Sequence, residues 1–187
     1  VIALIGFIAA LAIKNIANFG DTDIFPFPVE NRLLFDAAQG VIEVLREIDR
    51  DFDSAIARMP VLTSKELTAV GYSGFRQGTQ IDSVWNASLL ALVATIGDDI
   101  ETRRVPPSVV FSYRYKPEPI ICSLVDKTVG WPQFQAAAKE GAKKHSIILR
   151  CDIADFYPRI YHHRLENALR RATPKTDVVN RIKRLVS

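Results

Sequence analysis

The sequence predicts an α+β protein in which helix dominates and strands are short. Three observations carry that expectation. Apolar residues recur at three- and four-residue spacing over long stretches, as on the buried face of a helix. Runs rich in β-branched and aromatic residues are brief and sit beside glycine or proline. Nearly half of the 187 residues are hydrophobic, with no internal repeat or low-complexity tract, so one substantial core can form.

Val1 to Ile13 is apolar throughout, too short to cross a bilayer, and lacks the basic start and small-residue cleavage site of a signal peptide. A buried helix is expected, with an interfacial or truncated targeting segment as the alternative. Phe19-Gly20-Asp21-Thr22-Asp23 and Phe25-Pro26-Phe27-Pro28 read as an extended connector, because each proline restricts the residue before it. Asp21 and Asp23 suit turn and cap roles. From 29 to 59, Val41, Leu45, Ile48, Phe52, Ile56 and Met59 keep helical spacing, and Pro60 ends the pattern.

Leu67 to Gln80 is turn-rich, with Gly71, Gly74 and Gly78 around Tyr72, Phe75 and Arg76. Arg76 can approach phosphates or stack on bases; equally, the stretch can be a hairpin with a surface arginine. A second helix is expected over 81–104, with Val84, Trp85, Leu89, Leu92, Val93, Ile96 and Ile100 as its buried stripe. Pro106-Pro107 breaks it. Val109, Val110, Phe111, Tyr113 and Tyr115 then read as a strand carrying Arg114 and Lys116, and Pro117-Glu118-Pro119 makes it an edge or a turn. Trp131-Pro132 opens another helix through Ala142, with Lys139, Lys143 and Lys144 facing outward.

Charge is uneven. Residues 1–138 hold 12 Lys and Arg against 16 Asp and Glu, whereas residues 139–187 hold 12 against 5. A basic end suits a polyanion, although a solvated helix face has the same composition. Cys122 and Cys151 form no Cys-x-x-Cys pair, which leaves a reduced cytoplasmic protein as the default. No Gly-x-x-x-x-Gly-Lys-Ser/Thr loop, Ser-His-Asp signature or His-Glu-x-x-His is present. His162 and His163 are adjacent, about 100° apart on a helix, and make a poor shared metal site.

The most informative stretch is 146–165. Ile147, Ile148 and Leu149 predict a buried strand ending at Asp152. Pro158 stands where a helix can start, and Ile160, Tyr161, Leu165, Ala168, Leu169 and Ala172 continue at helical spacing. Asp152 and Asp155 would point to opposite faces of a continuous strand, so one can face a cleft while the other braces the turn. Both also fit an ordinary strand end and cap. A cleft-facing carboxylate wants a cation, and Mg²⁺ prefers oxygen ligands.

Asp152-Ile153-Ala154-Asp155-Phe156-Tyr157-Pro158-Arg159-Ile160-Tyr161-His162-His163 resembles motif A of reverse transcriptases, most closely the bacterial defence-associated, abortive-infection type. Softer likeness covers Asn18 to Pro28, Gly74 to Thr79 and Val110 to Arg114. The resemblance implies a right-hand polymerase fragment: a helical extension over 1–60, a fingers-like region over 61–145 and the start of the palm over 146–187. It implies that Asp152, with the Ile153 backbone carbonyl, binds metal and is catalytic. Tyr157 would screen the sugar 2′ position, with Phe156 packing beside it. Arg114 first and Arg76 second would meet the triphosphate, and Lys143, Lys144, Arg159 and Arg164 the nucleic acid. Two Mg²⁺ ions, RNA template, DNA product and dNTPs follow, with an antiphage role, a possible homo-oligomer and no membrane.

Two ions carry four positive charges, so the resemblance expects a further Asp-Asp hairpin downstream of Ser187 and an inactive 187-residue chain. Two other readings stay open. One is a permuted polymerase using Asp98 and Asp99 of Gly97-Asp98-Asp99, which would need a strand turn where the flanks read as helix. The other is a non-catalytic nucleic-acid-binding or assembly module with a degenerate palm.

Overall fold

A computed structural model describes residues 2–20, 29–70, 72–153 and 156–187. Helix α1 (Ile2–Phe19) buries Ala9, Leu11, Ala12, Ile13 and Ile16. The 29–59 pattern is helical but segmented: a 3-10 turn at Val29–Asn31, then α2 (Arg32–Asp36), α3 (Ala38–Arg50) and α4 (Phe52–Arg58). The α3–α4 break falls at Asp51, which leaves helical geometry and accepts the Ser54 N–H as an N-cap. The connector residues 21–28, with Asp21 and Asp23, and Gly71 lie outside the described residues.

The turn-rich stretch is an antiparallel hairpin, β1 (Thr63–Val70) and β2 (Gly74–Ile81), in register from Thr63 opposite Ile81 to Val70 opposite Gly74. Its root is pinned by Asp82. One carboxylate oxygen accepts the Leu62 N–H, and the other accepts the Trp85 N–H, capping α5 (Ser83–Thr95). Trp85 is fully buried, packs edge-on against Phe52 at 5.7 Å and donates its indole N–H to the Met59 carbonyl at 2.9 Å. The buried polar pair Ser83 and Asn31 closes the same end, hydroxyl to amide oxygen at 2.6 Å.

Helix α6 (Gly97–Glu101) follows directly, then the small sheet β3 (Tyr115–Glu118) and β4 (Ser123–Val125), α7 (Trp131–Lys144), α8 (His162–Ala172) and α9 (Thr176–Val186). β3 contains Pro117 and its pairing is irregular between Tyr115 and Glu118, as an edge strand with proline should be. The core joins α1, α3, α4, α5 and α9. Val179, Ile182 and Leu185 of α9 are buried, each side chain contributing about 1.5–3 kcal/mol. Arg181 binds Asp49 at 2.7 Å and Arg184 binds Asp53, and both guanidinium groups lie over the Phe52 ring. No helix among the described residues is long and apolar enough to cross a membrane.

The architecture is therefore mixed α and β, mostly helical, with two small antiparallel sheets. Two expected strands are corrected. Residues 109–114 form a loop, because the Arg104 guanidinium takes the Ser112 and Tyr113 carbonyls that a ladder would have used. Residues 147–152 form no strand and are exposed: Ile147 and Leu149 are 85% and 86% accessible. An apolar run becomes a strand only beside a partner, and neither two-stranded sheet supplies one here.

Candidate functional site

Beyond α7 the chain runs from His145 to Ile153 without helix or ladder, then turns. Asp152 is exposed, and one carboxylate oxygen accepts the Ile153 N–H at 3.0 Å. That bond is local to one peptide. Asp155 lies outside the described residues. Phe156 and Tyr157 pack edge to face at 5.3 Å, both half or more exposed. Tyr157 opens a 3-10 turn to Arg159, with Pro158 in its first turn where no N–H is required. The α8 register begins one turn later than the proline alone suggested, and Arg164 on it lies 5.8 Å from the Tyr161 ring. Asp152, Tyr157, Arg159 and Arg164 are each exposed. Lys143 and Lys144 precede them in the last turn of α7, Lys143 paired with Glu140 at 2.7 Å.

The two candidate phosphate-binding arginines are elsewhere. Arg76 is exposed on β2, opposite Thr68. Arg114 is a correction. Its side chain is only 15% exposed, its Nε meets Glu101 at 2.8 Å, and it donates to the Val105 carbonyl at 2.7 Å. It lies in the loop before β3 and its donors hold that loop, so it projects into no cleft with Asp152. Glu101 gathers three donors. Arg104 meets it at 2.7 Å, the Tyr115 N–H at 2.7 Å, and Arg114 through Nε. Burial alone would raise its pKa, yet these hydrogen bonds and the two guanidinium charges outweigh it and hold the carboxyl below the usual range. Sequence reasoning missed this cluster, whose only local trace is a glutamate two positions before Arg103-Arg104 and the pair of prolines.

Gly97-Asp98-Asp99 lies in α6, not in a strand turn. Its glycine is explained by packing: a Cβ there would sit 2.5 Å from the Tyr115 ring. Asp99 accepts the Thr173 hydroxyl at 2.6 Å and meets Lys175 at 3.4 Å. The Thr173 hydrogen bond first, then Lys175, keeps its carboxyl below the ordinary value. This Asp fastens the α8–α9 turn to α6, a task that draws it away from the 152–157 stretch.

As to metal, no three His, Cys, Asp or Glu side chains gather as a cation site among the described residues. One carboxylate cannot balance two divalent ions, so these residues alone do not make a two-ion site. No family model, no curated protein and no solved structure matches the chain.

Proposed function

We propose that the chain is part of an RNA-directed DNA polymerase of the reverse-transcriptase type, with residues 146–187 opening its palm. The observation that supports this most is the order and exposure of Asp152, Phe156 and Tyr157. Basic side chains of α7 and α8 flank them in sequence. A carboxylate followed by an aromatic pair suits a metal-bound nucleotide whose sugar rests against a ring. The flanking cations suit a phosphate backbone. On this reading Asp152 and the Ile153 carbonyl hold Mg²⁺ once further carboxylates join them, Tyr157 contacts the sugar, and template, product and dNTPs are the partners. Arg76 takes over the triphosphate role that Arg114 is too committed to play. Work in the cytoplasm and in antiphage defence belongs to the same proposal.

The lack of any three-ligand cluster among the described residues favours a second reading, a nucleic-acid-binding or assembly module without catalysis. Primer extension with Mg²⁺ separates the two. The protein, carrying any residues encoded beyond 187, should extend a primer on RNA, and Asp152→Ala should abolish extension while leaving RNA binding within about twofold. Binding without extension in both proteins would favour the module.

A further inference from the structure

Away from Asp152 the surface carries an open cavity of about 370 Å³ lined by aromatic rings. Phe111 and Tyr113 come from the loop before β3, and Trp131 and Phe134 from the first turn of α7. Trp131 and Phe134 lie 5.2 Å apart and tilted by 30°, and Phe111 meets Phe134 edge-on at 6.1 Å. Tyr113 sits beside Gly130. These rings are not core: Tyr113 is 69% and Trp131 58% exposed, and α7 buries no residue at all. The loop that presents Phe111 and Tyr113 is nevertheless fixed. Arg104 grips its carbonyls at 112 and 113, and Glu101 holds Arg104.

We infer that this aromatic cluster is a stacking site for unpaired bases of single-stranded nucleic acid. Every base offers a π face, so exposed, rigidly held rings bind single strands with little sequence preference. Charge points to the same occupant. α7 carries Lys139, Lys143 and Lys144 onward from the rings, with Glu140 as its one acid, and ends where the basic 146–187 segment begins. The cavity is near the lower end of small-ligand pockets, about 300–1,000 Å³, with room for flat rings. A proline-rich peptide also likes aromatic grooves, but it has no use for the lysines beyond. The inference deepens the polymerase reading, on which it rests for the identity of the polymer. It adds a contact remote in sequence from Asp152.

The two tryptophans make the test direct. Trp131 is in the site and Trp85 is sealed in the core. A short unstructured RNA should quench Trp131 emission saturably, with affinity falling steeply as salt rises. A duplex of equal length, richer in charge but with its bases paired, should quench far less. Trp131→Phe, which leaves only Trp85, should abolish the response. Tyr113→Ala should weaken binding about 5- to 150-fold, the effect of one stacked base. Phe134→Ala should do the same, with an unchanged far-ultraviolet circular dichroism spectrum showing that the fold survives. Equal quenching by duplex and single strand, quenching by a proline-rich peptide but not RNA, or no effect of Tyr113→Ala would each overturn the site. Primer extension reports separately: quenching without extension sinks the polymerase reading and keeps the site, and extension without quenching does the reverse.

Discussion

Ile13 and Ile147 are the same residue in opposite circumstances: the first is fully buried in the helical body, the second 85% exposed in the stretch leading to Asp152. Around Ile13, α1, α3, α5 and α9 each bring an apolar face, and every face finds another. Around Ile147 the chain has three apolar residues in a row, all largely exposed. Burial is thus decided by whether a complementary surface is present. The body buries its apolar faces, and residues 147–149 leave theirs in solvent.

The comparison breaks most sharply at Trp85. Trp85→Ala removes the centre of the body, its contact with Phe52 and its bond to the Met59 carbonyl. It should cost about 3–5 kcal/mol in urea unfolding. A loss below 1 kcal/mol would mean that the body is far looser than its burial implies. Next, Gly97→Ala forces a methyl into the Tyr115 ring, and about 1–3 kcal/mol should be lost. Tyr115→Ala in the same protein should recover part of it, because it empties the space the methyl needs.

A smaller effect comes from acid. Glu101 and Asp99 are held below their ordinary values, so each supports the fold fully above the unfolded-state value. That support begins to fade as pH falls through the usual carboxylate range, and is gone only below the depressed folded-state values. Stability measured from pH 7 down to 3 should therefore drop late, and Glu101→Gln should flatten that drop while lowering stability at neutral pH. The smallest effect belongs to the exposed stretch. Leu149→Ser should shift unfolding by less than about 0.5 kcal/mol. A loss comparable to Trp85→Ala would show that the stretch is covered within the protein itself.

How much was legible follows the same division. The stripe of α3 was readable because helical period and burial coincide at Val41, Leu45 and Ile48, whereas of the stripe expected in the second helix only Trp85 and Ile96 are buried and Val93 is exposed. The 67–80 stretch was readable as a hairpin from its glycines. The strand expected from 109 forms only from Tyr115 on, because one side chain, Arg104, satisfies the carbonyls before it, and a side chain's choice of partner is not written in local periodicity. The strand expected over 147–152 failed because pairing needs a neighbour that no run of residues can reveal about itself. Helix α9 went unread although Val179, Ile182 and Leu185 have the right spacing, since so many charges interrupt them. At the site, Asp152 and Tyr157 are each exposed. The commitment of Arg114 to Glu101 was not legible, because the two are 13 positions apart and joined only by the folded loop.

Arg181 reaches Asp49, and Arg184 reaches Asp53, across more than 130 positions of chain. That separation has a consequence for the order in which the protein can be made. Helices α1 to α5 leave the ribosome about 90 residues ahead of the helix that seals them, roughly 5–20 s at ordinary elongation rates. For that interval Phe52, Leu45 and Ile48 lack the cover that α9 later supplies, with Arg181 lining the same cavity. The nascent body is then at its most adhesive, and a chaperone that shields apolar helices would find its substrate at that moment rather than after release.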